Sequence, residues 1–439
     1  MLTFSLRGGI HPAYHKELAS EHPIEPFPLP KRLEIPLSQH LGLPAAAVVS
    51  RGDEVSAGNV IAEAPKLISA HVHTPAAGKV RSVVQKPLPG GRMCDYVQVD
   101  VDEEATEAHE WRARSVDLAE VDAQWLARTS REAGIVGMGG ATFPTDVKLS
   151  PPPTAKLDVF ILNGAECEPY LTCDHRMMVE HTHEILQGIE LAHTAFGFSR
   201  VIIGIEENKP DALEAFRRES ARFPDMPLEV APLETRYPQG AEKVLIESTT
   251  KRVVPAGKLP FEVGVVAANV QTMYALQQAA YLGKPLIERI VTVSGAGIAT
   301  PKNLRVPVGT PVADLAEFCG GFSERTTKVV MGGPMTGIAL PSLDYSVTKG
   351  SGGLLFLTQQ DYPDESPCIK CGSCVDVCPM RLMPLKLAAF AKAGKFEEAK
   401  ATNLADCFEC GCCAWACPAN IKILSWIKYA KNYVRVKGI

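Results

Sequence analysis

Three stretches between residues 157 and 280 share one pattern: a short unbroken apolar run, a polar turn, then apolar residues at helical spacing. The runs are DVFILN, RVIIGIE and VGVVAAN, and continuous apolar segments of this length read as buried strands. PDALEAF and VQTMYAL supply helices after the second and third, and RYPQGAEKVLIEST opens another helix at Glu242 and Lys243. Alternating strands and helices predict an α/β domain over about residues 115–280. Upstream, VVSRGDEVSAGNVIAEAPKLISAHVHTPAAGKVRSV predicts short strands joined by the turns RGDEVSAGN and TPAAGKV, the two halves of a β-sandwich. Downstream, MRLMPLKLAAFAKAGKFEEAKATNLAD is rich in helix formers and predicts two short helices broken near Gly394. The tail, IKILSWIKYAKNYVRVKGI, reads as a basic amphipathic helix suited to a membrane surface or a partner, or to packing on its own module.

A chain of 439 residues exceeds one ordinary core, so several domains are expected. The formal net charge of −5, with no basic block, argues against nucleic acid as a partner. No apolar run approaches the roughly 20 residues that cross a bilayer, and MLTFSLRGGIHP lacks a secretory layout. A cytoplasmic chain with at most peripheral membrane attachment is therefore expected.

The cysteines change the picture most. Nine of the 13 lie between Cys368 and Cys417, a clustering that signals metal rather than a disulfide scaffold. CIKCGSCVDVCP places Cys368, Cys371, Cys374 and Cys378 before Pro379, and CFECGCCAWACP places Cys407, Cys410, Cys413 and Cys417 before Pro418. Both fit C-x2-C-x2-C-x3-C-P, in which three thiolates wrap one [4Fe–4S] cube and the fourth ligates the other. One cluster is thus assigned Cys368, Cys371, Cys374 and Cys417, and the other Cys407, Cys410, Cys413 and Cys378. Cys412 is surplus. Structural zinc sites use four ligands in two separated pairs, which two complete copies of an eight-cysteine pattern do not resemble.

Residues 134–149, GIVGMGGATFPTDVKL, hold Gly137, Gly139 and Gly140, whose backbone can approach a ligand and turn amides to a phosphate. Phe143 adds an aromatic face and Lys148 a cation. The run DVFILN ends in NGAECEPYLTCDH, and ligands bind at the carboxyl ends of strands in open α/β sheets. Asn163, Glu166 and Glu168 are therefore candidate contacts, although each acid taken alone is an ordinary loop carboxylate. His71 and His73 could ligate metal, but no clustered partner is visible, and surface or core histidines are expected.

GMGGATFPTDVKL, LNGAECEP and ANVQTM together resemble the flavin-carrying, NADH-oxidising subunit of respiratory complex I. With GGIHP at Gly8–Pro12 and the two terminal cysteine runs, nearly the whole chain resembles the RnfC family of the Rnf electron-transport complex. The resemblance implies FMN held by Gly137, Gly139, Gly140 and Lys148, with Asn163, Glu166 and Glu168 serving flavin and nicotinamide. It further implies Asn269 and Thr272 near FMN, Phe143 stacking in the NAD(H) site, and Glu242 as the second acid of a Gly–Glu–Glu segment. Ala241 and Met138 depart from it, standing where complex I has an acid and a basic residue.

The implied architecture is multidomain α/β and α+β. A lipoyl-like barrel-sandwich hybrid occupies 1–110, without the lysine that would carry a cofactor, and an FMN/NADH-binding α/β domain occupies 111–285. An SLBB β-grasp module spans 286–345, a helical double [4Fe–4S] ferredoxin-type domain 360–422, and the basic helix 423–439. The implied function is hydride exchange between NAD(H) and FMN in a peripheral subunit at the cytoplasmic face of the cell membrane. Two [4Fe–4S] clusters would relay single electrons to membrane and peripheral partner subunits of an ion-translocating Rnf-type complex, with ferredoxin reached through a partner subunit. Alternatives are a soluble cobalamin-reductase-type flavoprotein and a non-catalytic two-cluster wire.

Overall fold

The computed structural model describes residues 3–358 and 363–439; the expected domain starts at residues 1 and 360 lie outside them. Near the N-terminus, Arg32–Pro36, Met93–Val101, Gly78–Pro87 and Glu54–Val55 form one antiparallel sheet, and Ala46–Ala47, Val60–Glu63 and Val72–His73 form a second. Successive strand residues point to opposite faces. Leu33, Ile35, Val97 and Val99 are accordingly buried between the sheets, while Arg32, Glu34, Gln98 and Asp100 are not.

His73 ends the last of these strands, buried, with its Nδ1 unpartnered. Among the described residues neither it nor His71 joins a group of potential metal ligands. Burial, reinforced by Lys349, holds the His73 imidazole down to about 3 from its usual 6.5. The unfolded chain therefore takes up a proton that the folded chain refuses, so stability falls as pH drops from 6.5 toward 3. Replacing His73 by Leu is expected to flatten that part of the acid-denaturation profile, measured by urea midpoints at successive pH values.

The central domain carries the predicted alternation. Its strands are β1 (Val159–Gly164), β2 (Arg200–Glu206), β3 (Leu228–Leu233) and β4 (Val265–Asn269), all parallel in the order β3-β2-β1-β4. Helix α1 (Cys173–Glu180) follows β1, α2 (Glu242–Thr250) follows β3, and α3 (Val270–Leu282) leaves β4 directly. Continuous apolar strands need both faces covered. Phe160 and Leu162 face one core with Leu186, Ile189 and Met273, while Val159 and Ile161 face the other with Leu245 and Ile246. Chain order reverses between β1 and β4, and such a switch point leaves a crevice at the carboxyl ends of the strands.

The β-grasp unit differs from its expected span. Glu288–Ser294, Lys302–Pro307, Thr326–Met331 and Ile338–Leu340 are joined by Gly353–Thr358, which sits between the first and third of these strands. Ile24–Pro26, from the N-terminal region, adds in parallel along Lys302–Pro307. The sheet thus runs past residue 345 because its inner strand is supplied from beyond that point.

The ferredoxin module is helical, with the expected pair Pro384–Lys392 and Phe396–Ala401 separated at Gly394. Its two cysteine runs fold alike. Lys370 and Glu409, Gly372 and Gly411, and Arg381 and Asn420 take positive φ at matching places in each run. The C-terminal helix Ile423–Lys437 lays Ile423, Ile427 and Ala430 into the module's own core. Its opposite face, with Tyr429 and Val436, is exposed. No helix among the described residues is long and apolar enough to cross a membrane.

Candidate flavin and iron–sulfur sites

At the switch point Asn163 and Asn269 are register partners at the ends of β1 and β4. Asn269 caps α3, its Oδ1 accepting from Gln271 N at 2.9 Å. The glycine-rich loop folds over this edge. Gly137 N donates to Phe143 O at 2.7 Å, closing the loop, and Met138 N donates to Thr272 Oγ1 at 3.0 Å. Gly139 takes φ +77°, and a Cβ there would lie 2.8 Å from Asn269 Nδ2. Gly140 is exposed, with open space where its side chain would be. On the far wall Asn163 Nδ2 donates to Gly240 O at 2.8 Å, and Lys148 pairs with Glu242. These contacts bring Gly139 to Asn269, Met138 to Thr272, Gly137 to Phe143, Asn163 to Gly240 and Lys148 to Glu242, although the loop and the lysine stand far from the strand ends in sequence.

The donor set suits a flat, phosphate-bearing group. Bare glycine backbone leaves room for close approach, the start of a 13-residue helix offers its amides, and Lys148 offers a cation.

Glu166 and Glu168 accept from backbone amides. The Glu166 carboxylate accepts from Asp174 N at 2.6 Å and His175 N at 3.2 Å, capping α1, and lies 3.9 Å from Lys16 Nζ. Glu168 turns toward the β-grasp unit, accepting from Met335 N at 3.0 Å and Thr336 N at 2.9 Å. Glu166 and Tyr170 both hold positive φ, a strain that only well-fixed surroundings maintain. Lys16 is that fixture: its ammonium donates to the carbonyls of Glu166, Glu168 and Leu171 at 2.8, 3.1 and 2.6 Å.

A buried polar network behind the crevice was invisible in the motifs. Asp174 accepts from Asn269 Nδ2 at 2.6 Å and Gln271 Nε2 at 2.7 Å, and Arg289 donates to Gln271 Oε1 at 2.7 Å. Burial, with Glu166 beside it, pushes the Asp174 carboxyl up to about 6. The ion pair of Glu206 and Lys209, 2.9 Å apart and wholly buried, lies under the same loop, with Lys209 donating to Ala165 O at 2.7 Å. Such pairs need every remaining donor satisfied to offset their desolvation.

In the ferredoxin module Cys368, Cys371, Cys374 and Cys417 line one cavity, walled by Leu385, Ala388, Ile421 and Ile423. Cys413 has Cys410, Cys407, Cys378 and Cys374 within electrostatic reach. All eight are free of disulfides. Two sets of four converging thiols, each drawing one member from the other run, fit a pair of cubane clusters. Cys412 is fully buried, its thiol beside the Cys410 side chain and 4.0 Å from Tyr237 O.

Comparison with known proteins agrees with this layout. Family models match an RnfC barrel sandwich hybrid domain at 4–104, a Nuo51 FMN-binding domain at 130–278, an SLBB domain at 290–339 and a 4Fe-4S dicluster domain at 367–421. The corresponding component of the proton-translocating ferredoxin:NAD(+) oxidoreductase complex of Clostridium ljungdahlii is 45% identical over 99% of this chain and 95% of its own length. The chain belongs to the RnfC family. Its counterpart in the Na(+)-translocating ferredoxin:NAD(+) oxidoreductase complex of Acetobacterium woodii is 40% identical, covering 98% of this chain and 97% of that one. The homologous component of the ion-translocating oxidoreductase complex of Rhodobacter capsulatus is 43% identical, covering 92% and 78%. One polypeptide of an NAD+-reducing [NiFe]-hydrogenase shares the fold over 73% of this chain and 62% of its own length, at TM-score 0.50 and 18% identity. The RnfC chain thus carries an FMN-binding domain and a [4Fe–4S] dicluster domain, as its sequence led one to expect.

Proposed function

We propose that the chain is the NAD(H)-linked peripheral subunit of an ion-translocating ferredoxin:NAD+ oxidoreductase, meeting membrane partner subunits at the cytoplasmic face and ferredoxin through one of them. The observation that carries this reading is the union, in one RnfC-family chain, of the switch-point crevice and two crossed sets of four cysteines. Bound FMN supplies the conversion between a two-electron hydride and single electrons, which the clusters then carry.

The chain's own residues bind and orient. The Gly139–Gly140 backbone and the start of α3, capped by Asn269, cradle a phosphate beside Thr272. Lys148, drawn to Glu242, supplies a cation at the crevice wall, and Asn163 offers amide contacts to a ring edge. Phe143 gives nicotinamide an aromatic face. Glu166 and Glu168 act at one remove, by fixing the loop that follows β1. Cys368, Cys371, Cys374 and Cys417 hold one cluster, and Cys378, Cys407, Cys410 and Cys413 the other.

Anaerobic purification followed by iron and flavin analysis tests the reading. About eight irons per chain are expected, with FMN bound in equimolar amount or taken up when added. Eight irons with no uptake of FMN would reduce the chain to a two-cluster wire.

A further inference from the structure

The ferredoxin module meets the flavin domain at a small apolar junction, where Ile10, Cys167, Tyr237 and Cys412 are buried together. Two hydrogen bonds across this junction fall on backbone carbonyls at or beside one set of cysteines. Gly9 N donates to Val377 O at 2.8 Å, next to Cys378. A Cβ on Gly8 would lie 2.9 Å from that carbonyl oxygen and 3.1 Å from that of Cys378. Tyr237, only 2% exposed, donates its hydroxyl to Cys410 O at 2.8 Å. Strap and tyrosine are bound to each other: Ile10 N donates to Tyr237 O at 2.8 Å, and Tyr237 N to Ile10 O at 3.0 Å. At the rim, Arg381 pairs with Glu247 of α2, again close to Cys378. Cys378 and Cys410 are far apart in sequence but belong to the same proposed ligand set. The other set is turned outward, with Cys368 and Cys371 both exposed.

We propose that Tyr237 and the Gly8–Ile10 strap form a positioning seat that holds the cluster of Cys378, Cys407, Cys410 and Cys413 against the flavin domain, leaving the cluster of Cys368, Cys371, Cys374 and Cys417 as the surface exit. The inference rests on the electron route proposed above. The seat grips two ligand-bearing loops from opposite sides, one through the Val377 carbonyl and one through the Cys410 carbonyl. A buried carbonyl that loses its donor shifts to find another. Because electron transfer slows steeply with separation, a small shift of this cluster appears in the rate between flavin and cluster. It leaves the NADH-to-flavin step untouched, since the Tyr237 hydroxyl is spent on Cys410 and not on the crevice residues named above.

The test uses the full-length, iron-loaded chain as wild type, Tyr237→Phe and Gly9→Ala. Tyr237→Phe keeps the ring and removes only the hydroxyl bond. Gly9→Ala places a methyl 2.6 Å from Tyr237 O at a φ of +77° and forces strap and tyrosine apart. Without flavin, both variants are expected to speed amide hydrogen exchange at residues 409–413 relative to 370–374. With FMN and NADH under anaerobic stopped flow, flavin bleaching keeps its rate, while the following cluster bleaching slows severalfold. Loss of one cluster, identified by electron paramagnetic resonance as the Cys410 one, is the stronger form of the same result. Wild-type exchange with wild-type cluster bleaching, or selective loss of the Cys368 cluster, overturns the seat. If wild-type chain shows no NADH-driven cluster bleaching, the proposed route fails, and the exchange comparison still decides the seat.

Discussion

Replacing Cys417 by Ala is expected to remove the cluster at Cys368, Cys371 and Cys374, although Cys417 belongs to the other cysteine run. Iron should fall from about eight to about four per chain. The surviving paramagnetic signal should match the one left by Cys371→Ala, not the one left by Cys410→Ala. The reason is geometric. Two-residue gaps wrap three thiolates around one cube and direct the fourth cysteine, ahead of the proline, toward its neighbour. In the folded chain Cys417 shares a cavity with the first three cysteines of the other run. Cys378→Ala should show the reciprocal loss, its thiol lying among Cys407, Cys410 and Cys413. Cys378 and Cys417 only flank the module core, and Leu387, Leu404, Ile423 and Ile427 at its centre stay in place, so helix content should persist. A Cys417→Ala signal matching that of Cys410→Ala would mean that each run serves its own cluster.

Replacing Gly139 by Val is expected to weaken FMN binding about a hundredfold, read by flavin fluorescence in titration, with iron content unchanged. The residue holds φ +77°, a region costly for L side chains and worst for β-branched ones. The added Cβ would lie 2.8 Å from Asn269 Nδ2. Asn269 cannot retreat freely, because its two polar atoms cap α3 and hold the buried Asp174. The loop must therefore lift from the switch point, taking the Gly140 backbone with it. Unaltered FMN affinity would place the flavin away from this loop.

The legible parts of the molecule were those written in local sequence. β1, β2 and β4 are continuous apolar runs, which only a doubly covered parallel sheet accommodates, and the cluster cysteines carry their geometry in their spacing. The crevice was half legible. Gly139 and Asn269 were both recognisable from motifs, yet their contact across the switch point depends on the sheet order. For Glu166 and Glu168 the motif names carboxylates after a strand, but it gives no sign of the backbone amides at 174–175 and 335–336 from which they accept. Lys16, Asp174, Arg289 and Lys209 gave no signal, because each acquires its role from groups brought to it by tertiary packing. The same holds for Gly353–Thr358 and Ile24–Pro26, which join the β-grasp sheet through pairings distant in sequence. The C-terminal helix shows a further ambiguity, since an amphipathic stripe looks the same whether it meets a membrane or its own module. Here Ile423, Ile427 and Ala430 are already buried, so any partner meets the Tyr429 and Val436 face instead.

The most direct test of the electron route is NADH added anaerobically to the iron-loaded, FMN-supplemented chain, with flavin and cluster absorbance followed separately in time. The route predicts flavin bleaching first, then cluster bleaching at a matching final extent, with the Cys417→Ala chain still reducing its remaining cluster. Flavin that bleaches while both clusters stay oxidised, at a driving force sufficient to reduce them, would contradict it.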